Sequence, residues 1–292
     1  MSGKRAVSPK KPKLISLREL RKGDLADAHA LSVAVAWPHR LSDWEAVFAI
    51  GRGYCAHDPI GRLVGTAMWW PVDPGFAMVG MVIVDPGFQG RGLGRTLMEA
   101  IANDAGKRAL QLNSTTDGVK LYESQGFRAV GALKQYQGVA RLPRRKPLIC
   151  AGLRPVTEED WEQILSLDLA AFGHDRSAIL RGVVADAPGA VSEIDGRITG
   201  FTFCRPFGRG RVIGPVIAAD ISVAIALTTC FAAKHRGDFL RVDIPDGASE
   251  LSRAMEACGL ISAGGAITMT KGVVPALNGR VRIFGLINQA IG

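Results

Sequence analysis

The chain has 292 residues, 47% of them hydrophobic and 22% charged, values of a globular protein with room for two ordinary domains. Its formal net charge of +9 suggests a nucleic-acid partner until the charge is located. Lys4, Arg5, Lys10, Lys11 and Lys13 lie in an acid-free start and Arg141, Arg144, Arg145 and Lys146 in an acid-free linker; without these nine, 27 basic residues remain, which the 27 acidic ones cancel.

In chain order, residues 1–13 read as a disordered basic tail, rich in Lys, Pro and Ser and solvated rather than bound. No apolar stretch follows the basic start, so no signal peptide is expected, and the expected location is cytoplasmic. Arg18 and Asp24 flank a short strand that leads into a helix. Ser42-x-x-Glu45 reads as a capping box on a second helix, and Gly61-Arg62-Leu63-Val64-Gly65 as a hairpin turn. Phe76–Val84 carries no charge and closes in a continuous apolar run, as a central strand should. Asp85 and Pro86 end it, since proline cannot donate to a sheet ladder.

Gln89-Gly90-Arg91-Gly92-Leu93-Gly94-Arg95 follows, then an amphipathic helix from Thr96 to about Gly106. Glycines there permit positive φ and close backbone approach. Such a loop points several N–H groups at one spot at the positive end of a helix, which suits a phosphate or pyrophosphate. It is not a P-loop, because Arg95-Thr96 follows at too short a spacing. Nor is it a dinucleotide fingerprint, because its glycines run GxGxG and the next strand, Leu110–Asn113, ends without an acid. Leu121-Tyr122-Glu123-Ser124-Gln125-Gly126-Phe127 reads as a short helix closed by a C′ glycine.

Together these segments resemble the GNAT N-acetyltransferases over about residues 14–138. Gln89, Gly92 and Gly94 fill the family's Q/R-x-x-G-x-G/A loop, and residues Leu121 to Phe127 fill its Leu-Tyr-x-x-x-Gly-Phe segment. The resemblance implies an α/β fold on a mixed sheet, with acetyl-CoA as co-substrate and no metal. Gly90, Arg91, Gly92, Leu93, Gly94 and Arg95 would then hold the pyrophosphate through backbone N–H groups, with the two arginine side chains near phosphates. Val82, Ile83 and Val84 would pair with the pantetheine arm, and a backbone amide there would polarise the thioester carbonyl. Tyr122 would protonate the departing thiolate; otherwise it is a half-buried helix tyrosine. Thr115 would contact the pantetheine or cap a helix. No general base is legible: strands Phe76–Val84 and Leu110–Asn113 contain neither acid nor histidine, and Leu110 stands where some relatives carry Glu. Asp73 reads as a turn residue and Glu45 as a cap. The substrate is expected to be a small-molecule or peptide amine; Trp37, Trp44, Trp69 and Trp70 either line its pocket or fill the core.

Laid on itself with an offset of about 135, the chain matches in several places in order. Arg18 and Asp24 match Arg154 and Asp160; Gly61–Gly65 matches Gly196–Gly200; Glu123–Phe127 matches Glu256–Leu260. Two tandem GNAT-like units are therefore expected, a catalytic one over 14–140 and a degenerate one over 151–292, joined by the linker 141–150. In the second unit Gln89, Gly92 and Gly94 fall on Ala224, Leu227 and Thr229, and Tyr122 falls on Met255. Phe172–Ser177 and Ile213–Val216 resemble the C-terminal domains of tandem GNAT-like proteins. Asp175 and Arg176 either hold a polar ligand or form a helix cap beside an exposed arginine. Val212–Ala233, the most apolar stretch, contains Pro215 and Asp220 and reads as a core strand plus a buried helix, not a membrane span. The five cysteines, Cys55, Cys150, Cys204, Cys230 and Cys258, show no metal spacing and read as small buried hydrophobes. The expected activity is an acetyl-CoA-dependent N-acetyltransferase with no membrane or nucleic-acid partner; the alternative is a non-catalytic acyl-CoA-binding regulator.

Overall fold

The computed structural model describes residues 15–142, 152–184, 186–274 and 279–292. The expected tail 1–13, most of the linker and Cys150 lie outside them. The N-terminal half runs β1 (Ser16–Glu19), α1 (Leu25–Ala34), α2 (Leu41–Ala49), β2 (Arg52–His57), β3 (Leu63–Pro71), β4 (Phe76–Val84), α3 (Leu93–Ala105), β5 (Ala109–Ser114), α4 (Val119–Glu123) and β6 (Arg128–Val139). The C-terminal half repeats that order: β7 (Leu153–Pro155), α5 (Trp161–Phe172), α6 (Ser177–Val184), β8 (Gly189–Ile194), β9 (Arg197–Phe207), β10 (Gly210–Ala218), α7 (Ile221–Lys234), β11 (Phe239–Pro245), α8 (Ser249–Ala257) and β12 (Ile261–Lys271). A final strand, β13 (Arg282–Gly285), has no counterpart in the first half and pairs with β10.

The repeat read from the sequence is present in atomic detail. Arg18 binds both carboxylate oxygens of Asp24 at 2.7 Å, and Arg154 binds those of Asp160 at 2.7 and 2.8 Å. Gly126 and Gly259 each close a short helix at φ +88°. Both β4–β5 and β10–β11 are parallel pairs in an otherwise antiparallel setting, giving the mixed sheet.

The sheet is continuous through the two halves, in the order β1-β2-β3-β4-β5-β12-β6-β11-β10-β9-β8-β7. The last strand of each half lies in the other half's sheet: β12 pairs with β5, from Ile267↔Ser114 to Lys271↔Leu110, and β6 pairs with β11, from Phe239↔Val139 to Pro245↔Leu133. The two exchanged strands also pair with one another. Trp44, Trp70 and Phe76 of the first half share a buried cluster with Phe172, Leu180 and Phe203 of the second and with Ile287 and Ile291 of the C-terminal segment. Dividing the chain at the linker divides the sequence but not the hydrogen-bonded sheet.

Several local expectations are corrected. The helix α2 begins at Leu41, so its third residue is Asp43, not Glu45; Asp43 accepts from the Arg40 N–H at 2.9 Å and pairs with the Arg40 guanidinium at 2.6 Å. Arg176 is not exposed: it is buried, bound to Asp168 through two hydrogen bonds of 2.8 Å and stacked over Phe172. Asp175 does cap α6, accepting from the Ser177 N–H at 2.9 Å. Cys55, Cys204 and Cys258 are buried, but Cys230 is exposed. The helix after the glycine loop starts at Leu93 rather than Thr96. No described helix is long and apolar enough to cross a membrane.

Candidate active site

The site forms where two parallel strands part. The strand β4 pairs with β5 only over Phe76–Val79 and Ala109–Leu112, and beyond Val79 it turns away. Met81 causes the turn, sitting at φ +52°, a left-handed conformation that costs a methionine roughly 1–3 kcal/mol and occurs mostly where function requires it. The β3–β4 register shifts at the same place, and the buried hydroxyl of Thr66 donates to the Met81 carbonyl at 2.8 Å, holding the bulge. Methionine gives no sequence signal for such a conformation; the sequence pointed to Val82, Ile83 and Val84, which continue the strand just beyond.

Below the bulge, Asp85 caps a short turn by accepting from the Gly87 N–H at 2.8 Å. Gln89 folds back, its Nε2 donating to the Val84 carbonyl at 3.1 Å. Gly90 and Gly92 adopt φ +74° and +81°, and α3 starts directly after them. Among the described residues, the N–H groups of Gly90, Arg91, Gly92, Leu93, Gly94 and Arg95 donate to no backbone carbonyl; the first that does is Thr96, to Gly92. A side chain at Gly94 would meet Leu121 of α4 at 3.1 Å, so this glycine serves close packing rather than an unusual turn. Arg91 lies over the Phe88 ring, and Arg95 reaches Ser124 at the end of α4, 3.1 Å away.

Tyr122 of α4 packs into the buried cluster beneath the loop, with Leu93, Leu97 and Phe127. It is 8% exposed, packs edge-on against Phe127, and has a side-chain carbon 3.0 Å from where a Cβ on Gly118 would stand. Burial pushes its phenol up to about 12, so it stays protonated at neutral pH and keeps a proton to donate. Thr115 is exposed at the end of β5, and its side chain makes no capping bond.

Above the bulge lies a cavity of about 340 Å³, a size suited to a small substrate. Its walls come from both halves: the α1–α2 loop with Trp37 and His39, Gly80 and Met81, Asn113, the exchanged strand β6 with Gln135 and Gln137, Phe207 and Arg209 of the β9–β10 hairpin, Arg241 of β11, and Asn288–Ala290. Of the four tryptophans of the first half only Trp37 lines it; Trp44, Trp69 and Trp70 are buried in the core. The C-terminal segment runs so close to β4 that a Cβ on Gly80 would lie 3.0 Å from Ala290. His39 sits between Trp37 and Phe207, with ring centroids 5.5 and 5.4 Å away. Desolvation and then the charge of Arg241 lower it to about 4, so it is neutral. The cavity and its C-terminal wall were not legible in the sequence, because the strand exchange and a segment beyond the repeat bring them together.

A further group, Asp24, Cys55 and His57, comes within metal-ligand spacing. Both oxygens of Asp24 are taken by Arg18, the Cys55 thiol is pushed up to about 11 by burial, and Arg154–Asp160 forms the same pair in the second half, so the group is explained as a repeated ion pair.

The second half has the strands and the helix but not the loop. Asp220 caps α7, accepting from Ser222 and Val223 N–H groups at 2.8 and 3.0 Å, so the helix N-terminus is occupied by the chain's own carboxylate. Met255 is fully buried in α8 where the first half has Tyr122.

The parallel pair splaying at a bulge, the glycine loop opening onto a helix and the buried tyrosine of α4 are the elements that the resemblance to the GNAT enzymes implies. Family models of the acetyltransferase (GNAT) domain match residues 49–129 and 164–285. A Bacillus subtilis protein named "Uncharacterized N-acetyltransferase YitH" is 31% identical over 218 residues, 73% of this chain and 76% of its own length. A crystal structure from Pyrococcus horikoshii, described as a candidate acetyltransferase, superposes with a TM-score of 0.78 at 18% identity, covering 99% of each chain. A tandem GNAT protein from the clavulanic acid biosynthesis pathway superposes with a TM-score of 0.62 at 15% identity, over 90% of this chain and all of that one. The chain belongs to the GNAT N-acetyltransferase family, as a tandem member.

Proposed function

We propose that the N-terminal half binds acetyl-CoA and that the acetyl group passes to an amine held in the cavity between the halves. The observation that carries this reading is the row of free N–H groups from Gly90 to Arg95 at the start of α3, set against the capped start of α7. The residues fit the co-substrate. The loop N–H groups with Arg91 and Arg95 would bind the pyrophosphate, and Gly90 and Gly92 have open space around them. The edge of β4 that leaves β5 beyond Val79 is free to pair with the extended pantetheine arm. A backbone amide of the Met81–Val84 stretch would polarise the thioester carbonyl as charge develops on it. Tyr122, protonated, would supply the proton to the departing thiolate.

No acid lines the cavity, and the acids flanking β4, with Asp43 of α2, are engaged: Asp73 accepts from Gly75 and pairs with His174, Asp85 accepts from Gly87 and pairs with Arg62, and Asp43 pairs with Arg40. The acceptor would therefore attack as the neutral amine, and the proton its nitrogen then sheds would pass through water to restore the Tyr122 phenol that protonated the thiolate. Calorimetric titration with acetyl-CoA tests the reading: one site per chain is expected, and no binding, or two equal sites, overturns it.

A further inference from the structure

The acceptor cavity has an unusual charge pattern for a site that receives an amine. Not one of its lining residues is an aspartate or glutamate, whereas an ammonium group is ordinarily received by a carboxylate. Instead, arginines of the C-terminal half gather at one end. Arg241, 8% exposed, is clamped by Asp243 through Nε at 3.0 and 3.1 Å and Nη2 at 2.8 Å. Asp243 is fully buried and also accepts from Gln289 at 3.2 Å. The clamp fixes the guanidinium while its Nη1 donates to no described residue, and the side chain borders the cavity.

Arg205 lies behind, 7% exposed, with no carboxylate partner among the described residues. Its one hydrogen bond is to the Ile287 carbonyl at 3.3 Å, and its buried Nε has none. Both guanidiniums approach the Phe207 ring, at 5.0 and 5.4 Å. Arg209, two residues beyond Phe207, is exposed at the cavity rim and joins no ion pair among the described residues. Two buried carboxylates lie near these three guanidiniums: Asp243 is spent on Arg241 and Asp43 on Arg40, so Arg205 and Arg209 have no bonded carboxylate among the described residues and favour an anion in the cavity. Beside them Gln137, Gln135 and Gln289 form a chain of side-chain bonds at 2.8 and 3.3 Å, and Asn113 donates to the Gln289 carbonyl at 2.9 Å, giving a polar floor without charge.

We infer that the acceptor is an amine that also carries an anionic group, a carboxylate or a phosphate, held by Arg241 and Arg209 at the C-terminal end of the cavity while its amine faces the Met81 bulge. This rests on the acetyl-transfer reading given above. Guanidiniums bind both anions in a directed, two-pronged manner, and the fixed Arg241 has already lost its rotational freedom. The same positive wall disfavours a protonated amine, which fits a cavity without a base.

The test uses matched pairs that differ only in the anion: β-alanine and β-alaninamide, phosphoethanolamine and ethanolamine, glucosamine 6-phosphate and glucosamine. Binding is measured by calorimetry on the full chain with and without saturating CoA, and release of CoA from acetyl-CoA is measured in steady state. The anionic member of at least one pair should bind roughly tenfold tighter, the worth of one charge-assisted contact. Arg209→Gln should shrink that preference several-fold while leaving the melting temperature and acetyl-CoA affinity unchanged. The paired change Arg241→Gln with Asp243→Asn, which removes the buried ion pair as a unit, should abolish it. Carboxylate or phosphate pairs showing the preference identify which anion is read. Neutral members binding as well as anionic ones, or no member of any pair binding to protein that binds acetyl-CoA, overturns the inference. Failure of acetyl-CoA itself to bind overturns the parent reading instead, while the anion preference is still read from the CoA-free titrations.

Discussion

His39 provides a quantitative test of the cavity's electrostatics. Its imidazole lies between Trp37 and Phe207, its Nδ1 is buried without a partner, and desolvation and then Arg241 lower it from 6.5 to about 4. The folded chain keeps the neutral form, so the unfolded chain takes up a proton first. Stability is therefore complete above pH 6.5 and falls as the pH drops toward 4. At ~1.4 kcal/mol for each pH unit, the ceiling is about 3 kcal/mol, reached below pH 4. At pH 5 the same linkage gives about 2 kcal/mol, and contact with the cavity's water reduces it to about 1–2 kcal/mol. Urea unfolding of the wild type and of His39→Gln at pH 8 and pH 5 measures it. The wild type should lose about 1–2 kcal/mol more than the variant between the two pH values. Because packing lost in the variant is common to both pH values, it cancels in the comparison. Equal losses in the two proteins would show that His39 titrates normally, and would refute the picture of a desolvated, positively biased cavity.

Other substitutions separate binding from chemistry. Tyr122→Phe should lower kcat by roughly a hundredfold, the smaller end of general-acid effects, with acetyl-CoA affinity unchanged; an unaltered rate removes Tyr122 from the mechanism. Gly92→Ala meets no atom within 4 Å but must hold φ +81°, so it should cost about 1–2 kcal/mol of stability and weaken acetyl-CoA binding measured by calorimetry. Asp220→Ala removes two cap bonds and should cost about 1 kcal/mol by urea unfolding, with acetyl-CoA affinity unchanged; weaker acetyl-CoA binding would place a ligand in the second half.

Much of this was legible because the signals were local. An apolar strand, a proline stop and three glycines before an amphipathic helix specify the loop through backbone physics alone. The Arg18–Asp24 and Arg154–Asp160 pairs recur at equal spacing because each fastens a strand to the helix that follows it. The strand exchange was not legible. Within one sheet, β6 and β12 present similar faces, and pairing with one partner or the other leaves the alternation of side chains intact. The signs were glycines whose meaning is only spatial: a side chain at Gly265 would collide with the Leu133 carbonyl, and one at Gly138 would stand 2.5 Å from the Gly259 carbonyl. The Ser42–Glu45 box failed because Asp43 competes for the same helix start and also accepts from Gly208 N–H at 2.9 Å, a contact from the other half.

That last contact bears on how labour is divided in a tandem chain. Asp43 ties α2 of the first half to the β9–β10 hairpin of the second, which carries Phe207 and Arg209 into the cavity. The exchanged β6 brings Gln135 and Gln137 beside Arg241, and the C-terminal segment closes the wall at Gly80. With Asp220 filling the start of α7, that helix, the counterpart of α3, has no free N-terminus to offer a pyrophosphate. Residues of the second half line instead the cavity above the Met81 bulge, where the acceptor is proposed to bind. A single-unit enzyme could recruit such residues only from loops or from a second copy. Here the repeat supplies them in the same chain, and the strand exchange fixes them relative to the bulge. Changes at Arg209 or Phe207 should therefore alter acceptor choice without altering cofactor affinity, whereas changes in the Gly90–Arg95 loop should do the reverse.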